Sequence, residues 1–140
     1  MKTIRISKKK PPQWILDAVK EKWGVEWNDG IIFTYGDQIS NSIGRMSADL
    51  LVHEMNHTKQ QLAIDFFDGP DKWWKRYLED KKFRYEQELE CYRLQHKWLK
   101  EVNKNKQETW MFTQHYANSL SGPMYGNLVS FDEAMEAIIK

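Results

Sequence analysis

The sequence predicts an α+β fold, mostly helical, with a small N-terminal antiparallel sheet packed beside one central helix. Three observations carry this. The short runs read as strands fall before Ser47. From there on, apolar residues recur at helical spacing, interrupted by Gly, Pro and Asn clusters. And the first long helical stretch contains His53-Glu54-Met55-Asn56-His57, an H-E-x-x-H motif directly after the strands. With 140 residues and no interdomain linker or internal repeat, the expectation is a single domain over 1–140.

Thr3-Ile4-Arg5-Ile6-Ser7 alternates apolar and polar, as a short strand does, and Lys8-Lys9-Lys10-Pro11-Pro12 breaks it. Trp14, Ile15, Ala18, Val19 and Trp23 then outline an amphipathic helix that Gly24 stops. Trp27-Asn28-Asp29-Gly30 reads as a turn, Ile31 to Tyr35 as a strand, and Gly36-Asp37-Gln38 as a turn into a weaker strand, Ile39 to Ile43. Ser47 is the expected N-cap of the motif helix, with Asp49 in its first turn. This helix is predicted from about 47 to 67, with Leu50, Leu51, Met55, Leu62 and Phe66 on its apolar side and Asp68-Gly69-Pro70 as its terminator. Asp71 opens a short helix through Leu78. A long one follows from about 80 to 103, where Tyr85, Leu89, Tyr92 and His96 make a stripe expected to be core. A further helix spans about 107–118, Met124 to Leu128 reads as extended, and Ser130 caps a terminal helix over Phe131 to Ile139.

Two histidines four apart project from one helical face, and zinc accepts two imidazoles at about 2.0–2.1 Å each. Glu54 then lies beside the open coordination position, placed to take a proton from zinc-bound water. With 4 His in 140 residues, roughly one chain in a hundred of this composition carries the motif by chance. A catalytic zinc needs a third protein ligand. Position 63 is Ala63, so a third histidine six residues after His57 is absent. A glutamate from a later helix is the other solution, and Glu86, Glu88 and Glu90 are the candidates. Glu88 is three residues from Tyr85 and four from Tyr92, so it shares the expected buried stripe, where a carboxylate needs a reason to be. Glu90 and Glu86 read more easily as solvated charges. Cys91, one turn after Glu88, is expected to be a small residue that lets two helices approach closely.

H-E-x-x-H followed some tens of residues later by Glu88-Leu89-Glu90-Cys91-Tyr92 resembles the gluzincin pattern of zinc metallopeptidases, with Cys91 where alanine is usual. The short chain and the strands before the motif resemble the minigluzincins, small proteins frequent in phage and bacterial genomes. The resemblance implies a zincin-like fold and one Zn2+ per chain. It makes His53, His57 and Glu88 the metal ligands, Glu54 the general base and a peptide or protein the substrate. It also implies that an extended substrate pairs with the edge of the strand before the motif helix, of which Ile39 to Ile43 is the nearest candidate. His115, Tyr116 and Tyr125 are candidates to stabilise an oxyanion, although a packed aromatic is the better explanation of each. Asp49 or Asp65 is a candidate to orient a ligand imidazole.

Net charge is +1, which gives no global field for nucleic acid or membrane, and no apolar run reaches the ~20 residues of a membrane span. One cysteine excludes an internal disulfide framework, and no apolar segment follows the N-terminal basic residues, so the expectation is a soluble cytoplasmic protein. Lys72 to Lys106 holds eleven Lys/Arg against six Asp/Glu among aromatic rings, the composition of a nucleic-acid surface. A helix pair with an aromatic core and a charged outer face explains it better. The alternatives to a peptidase are therefore a nucleic-acid- or protein-binding helical module and a domain in which zinc is only a structural staple.

Overall fold

The computed structural model describes residues 5–140 and divides into two compact units, one ending at Glu79 and the other running Asp80–Lys140. The first unit opens with β1 (Arg5–Ser7) and α1 (Gln13–Trp23). The expected strand residues Thr3 and Ile4 lie outside the described residues. Ile15 and Val19 of α1 are buried, and Gly24 closes the helix in the left-handed conformation (φ 69°), returning its N–H to the Lys20 carbonyl. A single 3₁₀ turn at Trp27–Asp29 leads to β2 (Phe33–Tyr35), which Gly36 and Asp37 join to β3 (Gln38–Ser40). Both strands are shorter than their composition predicts, and Ile43 is exposed.

The sheet is mixed rather than antiparallel. Its strand order is β1-β3-β2, with β2 antiparallel and β1 parallel to β3. A parallel pair needs a long connection, and the segment from Lys8 to Asp37, with α1 and β2 inside it, supplies one. The expected substrate strand is therefore the central one. β3 has a partner on each side and no edge to offer.

The motif helix, α2 (Ala48–Ile64), ends earlier than predicted. Asp65 accepts the backbone N–H groups of Phe67 (2.8 Å) and Asp68 (3.3 Å), a local turn that competes with further helix. Gly69 and Pro70 do not terminate α2. They begin α3 (Gly69–Glu79), where proline loses nothing because first-turn N–H groups have no helical partner. Glycine is required there by close approach, since a Cβ at Gly69 would collide with the Gln61 carbonyl of α2. Ser47 occupies the N-cap position but makes no cap bond, and its hydroxyl donates to Asp49 Oδ1 instead (2.6 Å).

Thr34 joins β2 to both helices. The Gln61 side-chain amide donates to the Thr34 carbonyl (2.8 Å) and accepts the Gly36 N–H (2.7 Å). The indole N–H of Trp74 donates to the same carbonyl (2.9 Å). Tyr35 adds a hydroxyl bond to Asp71 of α3 (2.9 Å), and burial followed by this bond pushes its phenol up to about 12. Trp73 stacks on Tyr77 at 4.6 Å, and Trp74 and Phe33 complete the aromatic core beneath the strands. Because Gln61 is fully buried, Gln61→Ala leaves the Gly36 N–H unsatisfied and removes one of two donors from Thr34. The expected cost is about 2–4 kcal/mol, read as a lower thermal midpoint. A change below about 0.5 kcal/mol, the scale of an ordinary surface substitution, would mean that these bonds do not hold the sheet to the helix.

The second unit contains α4 (Lys81–Val102), α5 (Lys106–Leu120) and α6 (Phe131–Ile139), with a 3₁₀ turn at Pro123–Tyr125 where extended chain was expected. Caps fix the starts of all three helices. Asp80 accepts from the Phe83 N–H, Asn105 from Glu108, and Ser130 forms a reciprocal capping box with Glu133. Each helix packs on the other two. The stripe expected to be core is only half-buried, and the buried one lies beside it: Arg84, Glu88, Cys91, Gln95 and Leu99. Tyr92 covers Tyr116 (5.4 Å, 25°), and His96 Nδ1 bonds the Thr113 hydroxyl at 2.7 Å. That hydroxyl spends its own proton on the Thr109 carbonyl, so His96 is the donor and keeps its lone pair on Nε2. Burial, helped by Lys100, holds its imidazole below the ordinary histidine range. No helix among the described residues is long and apolar enough to cross a membrane.

Candidate metal centre

α2 buries hydrogen-bonding residues. His53, Glu54, Asn56, His57, Thr58 and Gln61 are its buried residues. Of the residues expected on its apolar side, Leu50, Met55 and Phe66 are exposed, and Leu51 and Leu62 are half-buried. Burying polar side chains is unfavourable unless partners meet them. In the first unit β2 supplies such partners, through Gln61 and through the Thr34 hydroxyl, which donates to Glu54 Oε1 at 3.1 Å. These bonds help set the rotation of the helix and turn the motif inward.

His53 and His57 lie one turn apart, with ring centroids 5.0 Å apart and planes at 74°. Their side of α2 is nearly dry, at 5% and 4% exposure. His57 also leans on Trp73 at 5.1 Å, which limits how its ring can turn. Its Nδ1 lies 2.8 Å from Gln60 Oε1. An amide oxygen only accepts, so Nδ1 carries the proton and the ring's lone pair is on Nε2, the arrangement that outer-sphere partners impose on metal-binding histidines. Asp65, one of the two aspartates expected to orient a ligand imidazole, is committed elsewhere. Asp49 accepts from Ser47, and Asp65 is exposed and holds the turn after α2. The Glu54 carboxylate lies beside His53, with Oε2 at 3.9 Å from Nε2, and is 8% exposed.

On α4, Glu88 and Cys91 are three residues apart and share the buried face, at 5% and 0% exposure. The other two candidate glutamates, Glu86 and Glu90, are exposed. The Tyr125 hydroxyl donates to Glu88 Oε2 at 3.4 Å. Tyr125 thus supports a carboxylate, a role its position in the sequence does not suggest. Tyr116 is a packed aromatic against Tyr92, and His115 is exposed.

His53, His57, Glu88 and Cys91 form one buried group, and each offers a ligand atom within 4.8 Å of all the others. The group could hold a metal ion. Donors bound to one ion at about 2.0–2.3 Å in a tetrahedron are separated by roughly 3.3–3.7 Å. Two nitrogens, one oxygen and one sulfur are all atoms that zinc accepts. Cys91 is the member that sequence reasoning assigned no metal role. Its i,i+3 relation to Glu88 was the available signal. Comparison with known protein families, curated proteins and solved structures finds no match for this chain.

Proposed function

We propose that this chain is a zinc-dependent peptidase of minigluzincin-like type, with His53, His57 and Glu88 as metal ligands and Glu54 as the base. The observation that carries the proposal is the convergence of buried donor atoms around an H-E-x-x-H helix, within 4.8 Å of one another. Glu54 adds to it, as a buried carboxylate beside His53 and hydrogen-bonded by Thr34. When bound, zinc would supply a Lewis acid that polarises the scissile carbonyl and draws the pKa of its water down towards ~7.

The residues of the chain supply the rest. Glu54 takes the proton of the attacking water and returns it to the leaving amine, as a general base and then a general acid. The Thr34 hydroxyl holds one oxygen of that carboxylate, so the base is aimed before substrate arrives. Gln60 fixes the His57 tautomer, and Tyr125 steadies Glu88.

The test is elemental analysis of the purified full-length protein, before and after incubation with zinc and dialysis. One zinc per chain is expected, together with cleavage of an unstructured protein substrate that stops on chelation and returns with zinc. Protein that takes up no metal under any of these conditions would sink the proposal.

A further inference from the structure

We infer that Cys91 is a fourth protein donor to the same metal ion, bound as thiolate, and that it must let go before a water can enter the coordination sphere. The inference rests on the metal site proposed above and deepens it. A peptidase site needs three protein ligands and an open position, whereas four protein ligands close a zinc site. Here a fourth ligand is built in. Cys91 is 0% exposed, forms no disulfide, and offers Sγ within 4.8 Å of a ligand atom on each of His53, His57 and Glu88.

A buried cysteine is often a small apolar filler. The surroundings of Cys91 argue otherwise, because two imidazoles and a carboxylate are poor company for an apolar group. Thiolate is also among the strongest zinc donors, and a nearby cation lowers the pKa of a thiol. Zinc uptake would release the thiol proton to solvent and form a zinc–sulfur bond, with no change in oxidation state. The closed site would then hold its metal tightly and hydrolyse slowly. A ligand that displaces Cys91 would open it.

Cobalt(II) substitution tests the inference without relying on activity. Wild type loaded with one cobalt per chain is expected to show thiolate-to-cobalt charge-transfer absorption in the near ultraviolet, and Cys91→Ala to bind cobalt without it. The variant should also lose more metal affinity than the about 10–100-fold typical of losing an outer-sphere partner. If Cys91→Ala does not fold, Cys91→Ser and wild-type alkylation kinetics replace it. Zinc should then slow modification of Cys91 relative to metal-free protein. Cobalt bound by wild type with no charge-transfer band, or a band unchanged in the variant, overturns the inference and leaves the three-ligand proposal standing. Failure of wild type to bind any metal removes both.

Discussion

His57→Ala is expected to abolish metal binding, taking the protein from one zinc per chain to a small residual fraction. The substitution deletes one donor of the buried group and the ring that Gln60 orients and Trp73 braces. Two effects follow and can be separated. Without added metal, loss of the ring leaves a cavity beside Trp73 and lowers stability by about 2–4 kcal/mol, the range for emptying a packed site. With metal, wild type alone gains further stability, about 4 kcal/mol when free zinc stands about 1,000-fold above its Kd. Thermal melts with and without zinc, read beside elemental analysis, make the comparison. An unchanged metal content, or an equal zinc-induced shift in the variant, would place the ion elsewhere.

Glu54→Gln should behave in the opposite way, keeping the metal and losing the chemistry. The amide has the shape of the carboxylate, and its oxygen can still accept the Thr34 hydroxyl, so α2 and β2 should stay joined. What disappears is the capacity to take a proton. General base catalysis contributes about 10²–10⁴-fold, and hydrolysis of any peptide that wild type cleaves should fall by at least that factor. The measurement pairs initial rates with metal content. Full activity in Glu54→Gln would remove Glu54 from the mechanism, and loss of zinc would recast it as a residue that supports the ligands.

The parts of this architecture written in local chemistry were legible in the sequence. Ser130 announces the last helix and Gly24 the end of the first, because caps act within a few residues. The end of α2 was misread for an equally local reason. Pro70 signals a break and also suits a first turn, and only the Asp65 turn decides which role it takes. Strand pairing was not legible. Three-residue strands carry no mark of their partner, so the parallel union of β1 with β3 appears only in the fold. The buried faces of α2 and α4 carry polar side chains, so they leave no apolar stripe in the sequence. Hydrophobicity alone would turn Leu50 and Met55 inward, whereas hydrogen bonds with β2 hold Glu54 and Gln61 there. His53 and His57 could be nominated because metal chemistry fixes both residue type and spacing, and Glu88 because a carboxylate on a later helix was the remaining kind of ligand. Gln60 and Tyr125 could not, because an orienting hydrogen bond can come from many side chains.

The bonds to Thr34 also bear on how the chain behaves at high concentration. In a hairpin with a two-residue loop, the pair flanking the loop exchanges hydrogen bonds, and the next pair turns its backbone outward. Tyr35 and Gln38 flank this loop, so the Thr34 carbonyl points away from β3, towards the outer rim of the sheet. A bare rim of that kind is a template on which a second molecule can lay its own strand. Here Gln61 and Trp74 already occupy the carbonyl, and Gln61 also takes the Gly36 N–H. The side chains that tie sheet to helix therefore act as a guard against self-association, and their loss would be felt as clumping of the protein as well as a lower melting point.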